Sequence, residues 1–182
     1  MSFKKLSLDQ LNRISIESFR ESDKMPLVLV LDNLRSQHNT GSIFRTADGF
    51  RVEAIHLCGI TATPPTREIH KAALGATDSV RWQYFENTRD SILQLKSEGF
   101  TIIGIEQVEN SILVDEFRAD TGGKYAMIFG NEVHGIEDEA LELCDFCVEI
   151  PQYGTKHSLN VSVSAAIMIW EFFKQAGNFK AL

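Results

Sequence analysis

No stretch of this chain is apolar for long enough to cross a bilayer, a task that takes about 20 consecutive apolar residues; its longest apolar runs fall far short. The amino-terminal stretch MSFKKLSLDQLNRISIESF has two lysines but no continuous apolar core, so it does not read as a secretory signal. Cysteine is scarce. The chain has three, an odd number, which suggests reduced thiols in a cytoplasmic protein. Cys144 and Cys147 form a CxxC, but no second pair exists to complete a zinc site, and this CxxC closes a helix where a redox pair would open one. We read it as structural. The five histidines show neither H-E-x-x-H nor i, i+4 pairing, so no metal site is expected. A G-x-S-x-G elbow is missing, as are G-x-G-x-x-G and GK[ST]. Their absence speaks against a hydrolase triad and against dinucleotide or nucleoside triphosphate fingerprints. Nor is there an internal repeat or a low-complexity linker.

What is present suits one globular domain with a sizeable core: 182 residues, 43% hydrophobic and 24% charged. The net charge is −7, which taken alone argues against a nucleic-acid partner. A local basic face is nonetheless enough to bind phosphates. Candidates for it are Arg13, Arg20, Lys24, Arg35, Arg45, Arg67, Lys71 and Lys156.

In chain order, Leu6 to Glu21 reads as an amphipathic helix, with Leu8, Leu11, Ile14 and Phe19 at roughly helical spacing. Leu27 to Leu31 is a continuous apolar run, the mark of a strand buried on both faces. Asn39 can cap a following helix whose Ile43, Ala47 and Phe50 face the core. Further strands are expected at Ala54–Cys58, Val80–Phe85, Thr101–Glu106, Tyr125–Phe129 and Cys147–Ile150. Helices are expected at Arg67–Leu74, Thr88–Glu98, Glu137–Leu143 and Leu159–Gln175. Strands alternating with helices imply an α/β fold, a parallel sheet with helices on both faces. Ligands in such sheets bind at the carboxyl ends of the strands.

Three polar loops lie at those ends. In NTGSIFRTA, Asn39 and Arg45 are six apart, about 240° around a helix axis, so they need not share a face. Arg45 is either a solvated charge or a guanidinium fork for phosphate or sugar oxygens. In FGNEVHGI, Gly130 would let a ligand approach the backbone. Glu132 either braces a neighbouring N–H or belongs to a site. In IPQYGTKHSLNVSVSAAIMIW, Ser158 sits at the helix N-cap, and Ser158 and Asn160 either cap or touch substrate. Val161, Ala165, Met168 and Ile169 share the apolar face of the helix that follows.

These three segments, in this order over roughly 125 residues, resemble the three motifs of the SpoU (TrmH) family of RNA ribose 2′-O-methyltransferases in the SPOUT superfamily. The resemblance runs from about Pro26 to the C-terminus. It implies a single SPOUT methyltransferase domain over 1–182, with residues 1–25 as an N-terminal helical extension. It also implies a deep C-terminal trefoil knot, a homodimer, S-adenosylmethionine as cofactor and RNA as substrate. Matched residue by residue, it assigns Ile105, Gly130, Ile150 and Leu159 to the cofactor, largely through backbone. Arg45 matches the arginine of methyl transfer, and Asn39, Glu132, Ser158 and Asn160 match the polar residues grouped with it. The wording lies nearest the branch that methylates a D-loop guanosine of tRNA. The alternatives are an rRNA substrate, a non-catalytic RNA-binding or assembly factor with the same fold, and a small-molecule methyltransferase or other nucleotide-binding enzyme. The short N-terminal helix and the overall acidity depart from the family pattern and leave room for an accessory RNA-binding protein.

Overall fold

The apolar run in the first third of the chain becomes β1, Met25–Asp32, and the sheet grows outward from it. The computed structural model describes residues 3–7 and 9–176. Strands β2 (Val52–Cys58) and β3 (Trp82–Phe85) lie on one side of β1. On its other side lie β6 (Tyr125–Phe129), β4 (Thr101–Ile105), β7 (Phe146–Glu149) and β5 (Ile112–Leu113). The order across the seven-stranded sheet is β3-β2-β1-β6-β4-β7-β5, and every pairing is parallel. Strand β6 is thus inserted between two strands that precede it in sequence.

Alternation along β1 separates two cores. Leu27, Leu29 and Leu31 pack with Ile43, Phe44 and Ala47 of α2 (Gln37–Gly49) and with Ala165, Met168 and Ile169 of α7 (Val161–Gln175). Val28 and Val30 join Ile92 and Leu95 of α5 (Thr88–Ser97) and Ala140 of α6 (Asp138–Leu141). Helices therefore cover both faces, and the period-2 geometry of a strand explains why a continuous apolar run was needed. The short helices α3 (Arg67–Ala73) and α4 (Ala76–Ser79) pack beside α2. Gly41 lets α2 and α3 touch: a Cβ there would lie 2.6 Å from the Ile69 carbonyl oxygen.

Several local expectations are corrected. The amphipathic helix from Leu6 to Glu21 is instead a 3-10 turn, Asp9–Leu11, and a short α1, Ile16–Glu21. Asn12 between them takes a left-handed φ of 46°, which interrupts any helix, and Leu11 is 38% exposed. Leu8 lies outside the described residues. Ser36, not Asn39, caps α2: its hydroxyl accepts from the Asn39 N–H. Asn160, not Ser158, caps α7, accepting from the Ser162 N–H. The third strand starts at Trp82 because Val80 closes α4, an element the sequence reading did not contain. The two-residue β5 was also not expected; it is too short for periodicity to reveal.

Candidate active site

The ends of β4, β6 and β7 and the loop into α7 enclose a cleft of about 540 Å³. That is within the roughly 300–1,000 Å³ of small-molecule sites, at the strand ends where such sheets bind ligands. Buried Phe129 and Val148 form its floor, with Ile105 and Ile150 beside them. All four residues expected at a cofactor, Ile105, Gly130, Ile150 and Leu159, line it. The backbones of Ile150 and Leu159 have no hydrogen-bond partner among the described residues. Apolar side chains with free N–H and C=O groups at their edge form a bed for a flat heteroaromatic ring. Gly130 has a reason beyond ligand approach. A Cβ there would meet the backbone of Gly135 at 2.1 Å and of Ile136 at 2.2 Å, so the loop closes on itself only around glycine.

Glu132, Ser158 and Asn160 also line the cleft, whereas Asn39 and Arg45 do not. Asn39 is nevertheless tied to it. Its side-chain N–H donates to Glu132 Oε1 at 3.0 Å, and its carbonyl oxygen accepts from Asn160 Nδ2 at 3.1 Å. One buried amide thereby joins all three motif segments. The Glu132 carboxylate also accepts from the backbone N–H groups of Arg35 (2.9 Å) and Ser36 (3.0 Å), at the mouth of α2. Desolvation acts to raise the Glu132 pKa. The Arg35 N–H and the other donors outweigh it and hold the carboxyl below its ordinary value. Glu132 is therefore a brace, with its oxygens committed to N–H groups. Ser158 is exposed and has no hydrogen-bond partner among the described residues. Arg45 is exposed on α2, away from Asn39, and its guanidinium makes no hydrogen bond or ion pair among the described residues.

A second set of contacts, which the sequence reading missed, zips the loop after β1 to the loop after β6. Asp32, buried at the end of β1, accepts from the Glu137 N–H at 2.9 Å and from the Thr88 hydroxyl. Asn131 donates to the Asn33 carbonyl at 2.7 Å. Gln107 reaches from the end of β4 to the His157 carbonyl at 3.1 Å. Ser36, the cap of α2 and a donor to Glu132, was also missed, and it alone had a readable signal, a serine three residues before Asn39 at the start of a helix.

Charge is divided. Among the described residues that line the cleft are three carboxylates, Glu106, Glu132 and Glu149, and no lysine or arginine. Lys156, exposed, flanks a lining segment in sequence, and Arg35, also exposed, meets the cleft wall through its backbone N–H on Glu132. The single basic face drawn from eight cations does not form. Arg20 and Lys24 stand at the opposite, amino end of the strands. There the Arg20 guanidinium donates to the Asp78 carbonyl, and the Lys24 ammonium donates to the Ser22 carbonyl at 2.7 Å, closing α1.

A parallel α/β sheet with a ligand-sized cleft at its strand ends defines the class, one that binds small molecules in its carboxyl-end loops. The chain belongs to the SpoU rRNA Methylase family, whose profile matches residues 26–170. A protein of Staphylococcus saprophyticus assigned to the TrmH family of tRNA/rRNA methyltransferases is 35% identical over 156 residues, 86% of this chain and 61% of that protein. The chain thus spans about three-fifths of the length of the curated relatives it matches. Among solved structures, the A. aeolicus TrmH/SpoU tRNA modifying enzyme superposes with a TM-score of 0.77 at 26% identity, over 88% of this chain and 81% of that one. An rRNA methyltransferase from Sinorhizobium meliloti, solved with S-adenosylmethionine bound, gives 0.77 at 25% identity, over 86% and 59%.

Proposed function

We propose that this chain is an S-adenosylmethionine-dependent RNA ribose 2′-O-methyltransferase acting on tRNA, with a D-loop guanosine as the favoured target. The observation that carries this reading is the Glu132–Asn39–Asn160 hydrogen-bond chain beside a cleft rich in carboxylates. The donor set fits the cofactor. Ile105, Ile150 and Leu159 offer an apolar bed with free backbone groups for adenine, and a cleft with no lysine or arginine among its described lining residues suits a ligand bearing a sulfonium. When bound, that cofactor supplies an electrophilic methyl carbon, so no metal is needed to activate the leaving group.

The protein's own part is to position and to stabilise charge. Asn39, Glu132 and Asn160 fix the loops against one another, so the ribose oxygen is held in line, a task worth much of the barrier. Ser158, exposed on the cleft wall, donates to or accepts from the ribose. Arg45 stabilises the developing 2′-oxyanion as a cation; it stays protonated, so the hydroxyl proton passes to water or to an RNA phosphate. Its lack of any partner among the described residues leaves its fork open to phosphate and ribose oxygens. Arg35 and Lys156 serve the RNA backbone, which makes binding salt-sensitive.

The same reading makes the chain, 1–182, one methyltransferase domain with residues 1–25 as its N-terminal extension. It is cytoplasmic and works as a homodimer, with an accessory protein adding RNA affinity where its own cations fall short. Val163 and Trp170 support the dimer: both are exposed and fall on one face of the last helix, and Leu159, also exposed, lies just before that helix beside the cleft. A second copy docked there would border Arg45, which its own cleft leaves outside. The reading also threads the C-terminal segment into a trefoil knot. In support, residues 106–124 clasp both ends of that segment, through Gln107 to His157 and through Gln175 to Phe117 and Ala119.

The test is transfer of labelled methyl from S-adenosylmethionine to bulk tRNA and, separately, to rRNA. Label in a tRNA ribose is the expected result. Label in rRNA alone replaces the substrate, and cofactor binding with no RNA labelling removes the RNA reading.

A further inference from the structure

We propose that Glu106 is a specificity residue that biases the cleft toward the cationic, methyl-bearing cofactor and against its neutral, spent form. This rests on the reading that S-adenosylmethionine occupies the cleft. S-adenosylmethionine and its demethylated product, S-adenosylhomocysteine, share adenine, ribose, ammonium and carboxylate. They differ in one methyl group and one positive charge at sulfur. Shape discriminates weakly between them, because a single methyl is worth little in a cleft. A fixed negative charge discriminates directly, because it attracts the sulfonium and has no net charge to attract at the thioether sulfur.

Three carboxylates line the cleft, and they are not equivalent. Glu132 is spent on Arg35, Ser36 and Asn39. The Glu149 side chain has no hydrogen-bond partner among the described residues, so nothing fixes its charge. Glu106 follows the last residue of β4 and is held from two sides. Its Oε1 accepts from the Gln107 N–H at 3.0 Å and its Oε2 from the Ile136 N–H at 3.2 Å. Each oxygen keeps a further lone pair. The backbone of Gly135 lies close against it, since a Cβ there would be 2.4 Å from Oε2. Among the described residues Glu106 forms no ion pair. Its charge is thus preorganised, unneutralised and on the cleft wall. Methyl transfer returns an electron pair to sulfur and lowers the ligand's charge by one, so the attraction Glu106 supplies ends with the reaction and the product is held less firmly.

The test compares the full chain with Glu106→Gln and Glu106→Ala by titration calorimetry. The three ligands are S-adenosylmethionine, S-adenosylhomocysteine and 5′-methylthioadenosine. The last keeps adenine and ribose without charge, so its unchanged affinity reports an intact cleft. Both variants are expected to weaken S-adenosylmethionine about tenfold, about the scale of one partly screened charge attraction, and the two neutral-sulfur ligands by less than twofold. A parallel loss for all three ligands overturns the assignment, as does no change for any. If the unaltered chain binds none of the three, the cofactor reading fails as well; if it binds them and the variants keep the same ligand preference, only the role of Glu106 fails.

Discussion

Asn39 and Glu132, 93 positions apart in the chain, share a 3.0 Å hydrogen bond that fastens the first turn of α2 to the loop after β6. The same Asn39 amide accepts from Asn160 at the mouth of α7. Three loops that are remote in sequence are therefore registered through one side chain. Its burial, at 7% exposure, protects the bonds from competition with water.

Glu132→Ala is expected to reduce methyl transfer far more than it reduces stability. Three acceptor contacts are lost, but the freed Arg35 and Ser36 N–H groups lie near the surface and can find water. The loss in folding free energy should therefore be about 1 kcal/mol. Urea denaturation and a turnover assay on one preparation check the pair. The pH dependence has a defined sign. The folded pKa lies below the ordinary 4.5, so the contribution of Glu132 is present above that pH and fades as pH falls below it toward the folded value. Glu132→Gln should remove this acid-side loss. An identical acid slope in wild type and variant would refute the brace.

Arg45→Ala is expected to lower turnover by about 10²–10³, the range for removing one donor to a developing oxyanion, while S-adenosylmethionine affinity changes less than twofold. Arg45 touches neither the cleft wall nor any partner among the described residues, so its removal has no structural route to the cofactor. Calorimetry and single-turnover kinetics separate the two effects. A matching loss of cofactor affinity would move Arg45 out of the methyl-transfer role.

Much of this was legible because burial on both faces of a parallel strand leaves a continuous apolar signature, as at Leu27–Leu31. The helices on either side then followed from their period. Ile105, Gly130, Ile150 and Leu159 were picked out by the wording of the motifs, and the structure brings them to one cleft. The caps were misread for a physical reason. Ser36, Asn39, Ser158 and Asn160 are all competent N-caps, and only tertiary partners decide which of them caps. Asn39 and Ser158 were each chosen by local sequence, while the bond from Asn39 to Glu132 spans the domain. The zipper of Asp32, Asn33, Asn131 and Glu137 was invisible for the same reason, being made entirely of contacts about 100 residues apart. The 3-10 turn replaced a helix because Asn12 entered the left-handed region, which apolar spacing does not report.

His56 gives stability a second pH limit, independent of the site. It is 5% exposed and pairs through Nδ1 with the Ser91 hydroxyl at 2.8 Å. Desolvation pushes its pKa down to about 4 from 6.5. The unfolded chain takes up a proton first as pH falls, so stability is complete above 6.5 and declines from there until about 4. The full loss is about 3 kcal/mol by linkage. Denaturation midpoints at pH 7, 5.5 and 4 should show it, and His56→Leu should flatten it over that window. An unchanged slope in the variant would assign the loss to other groups.

The exposed stripe on α7 yields the last expectation. Val163 is 48% and Trp170 51% exposed, and their spacing puts them on one side of the helix, with Leu159, 38% exposed, just before its N-cap. Trp170 does not swing freely, since its ring stacks on Phe173 at 5.8 Å and meets Phe50 edge-on at 6.0 Å. A rigid aromatic anchor beside apolar neighbours is what a symmetric pair of copies buries at its centre. Trp170→Glu should leave the fold intact, because the side chain is half exposed and not part of the buried core. It should raise the dimer dissociation constant at least about thirtyfold, the effect of a 2 kcal/mol hot spot. Sedimentation velocity over a dilution series measures this. The same variant should lose methyl transfer in step with its monomer fraction if Arg45 works beside the partner's cleft. Full activity in a monomeric variant would instead confine every reacting group to one chain.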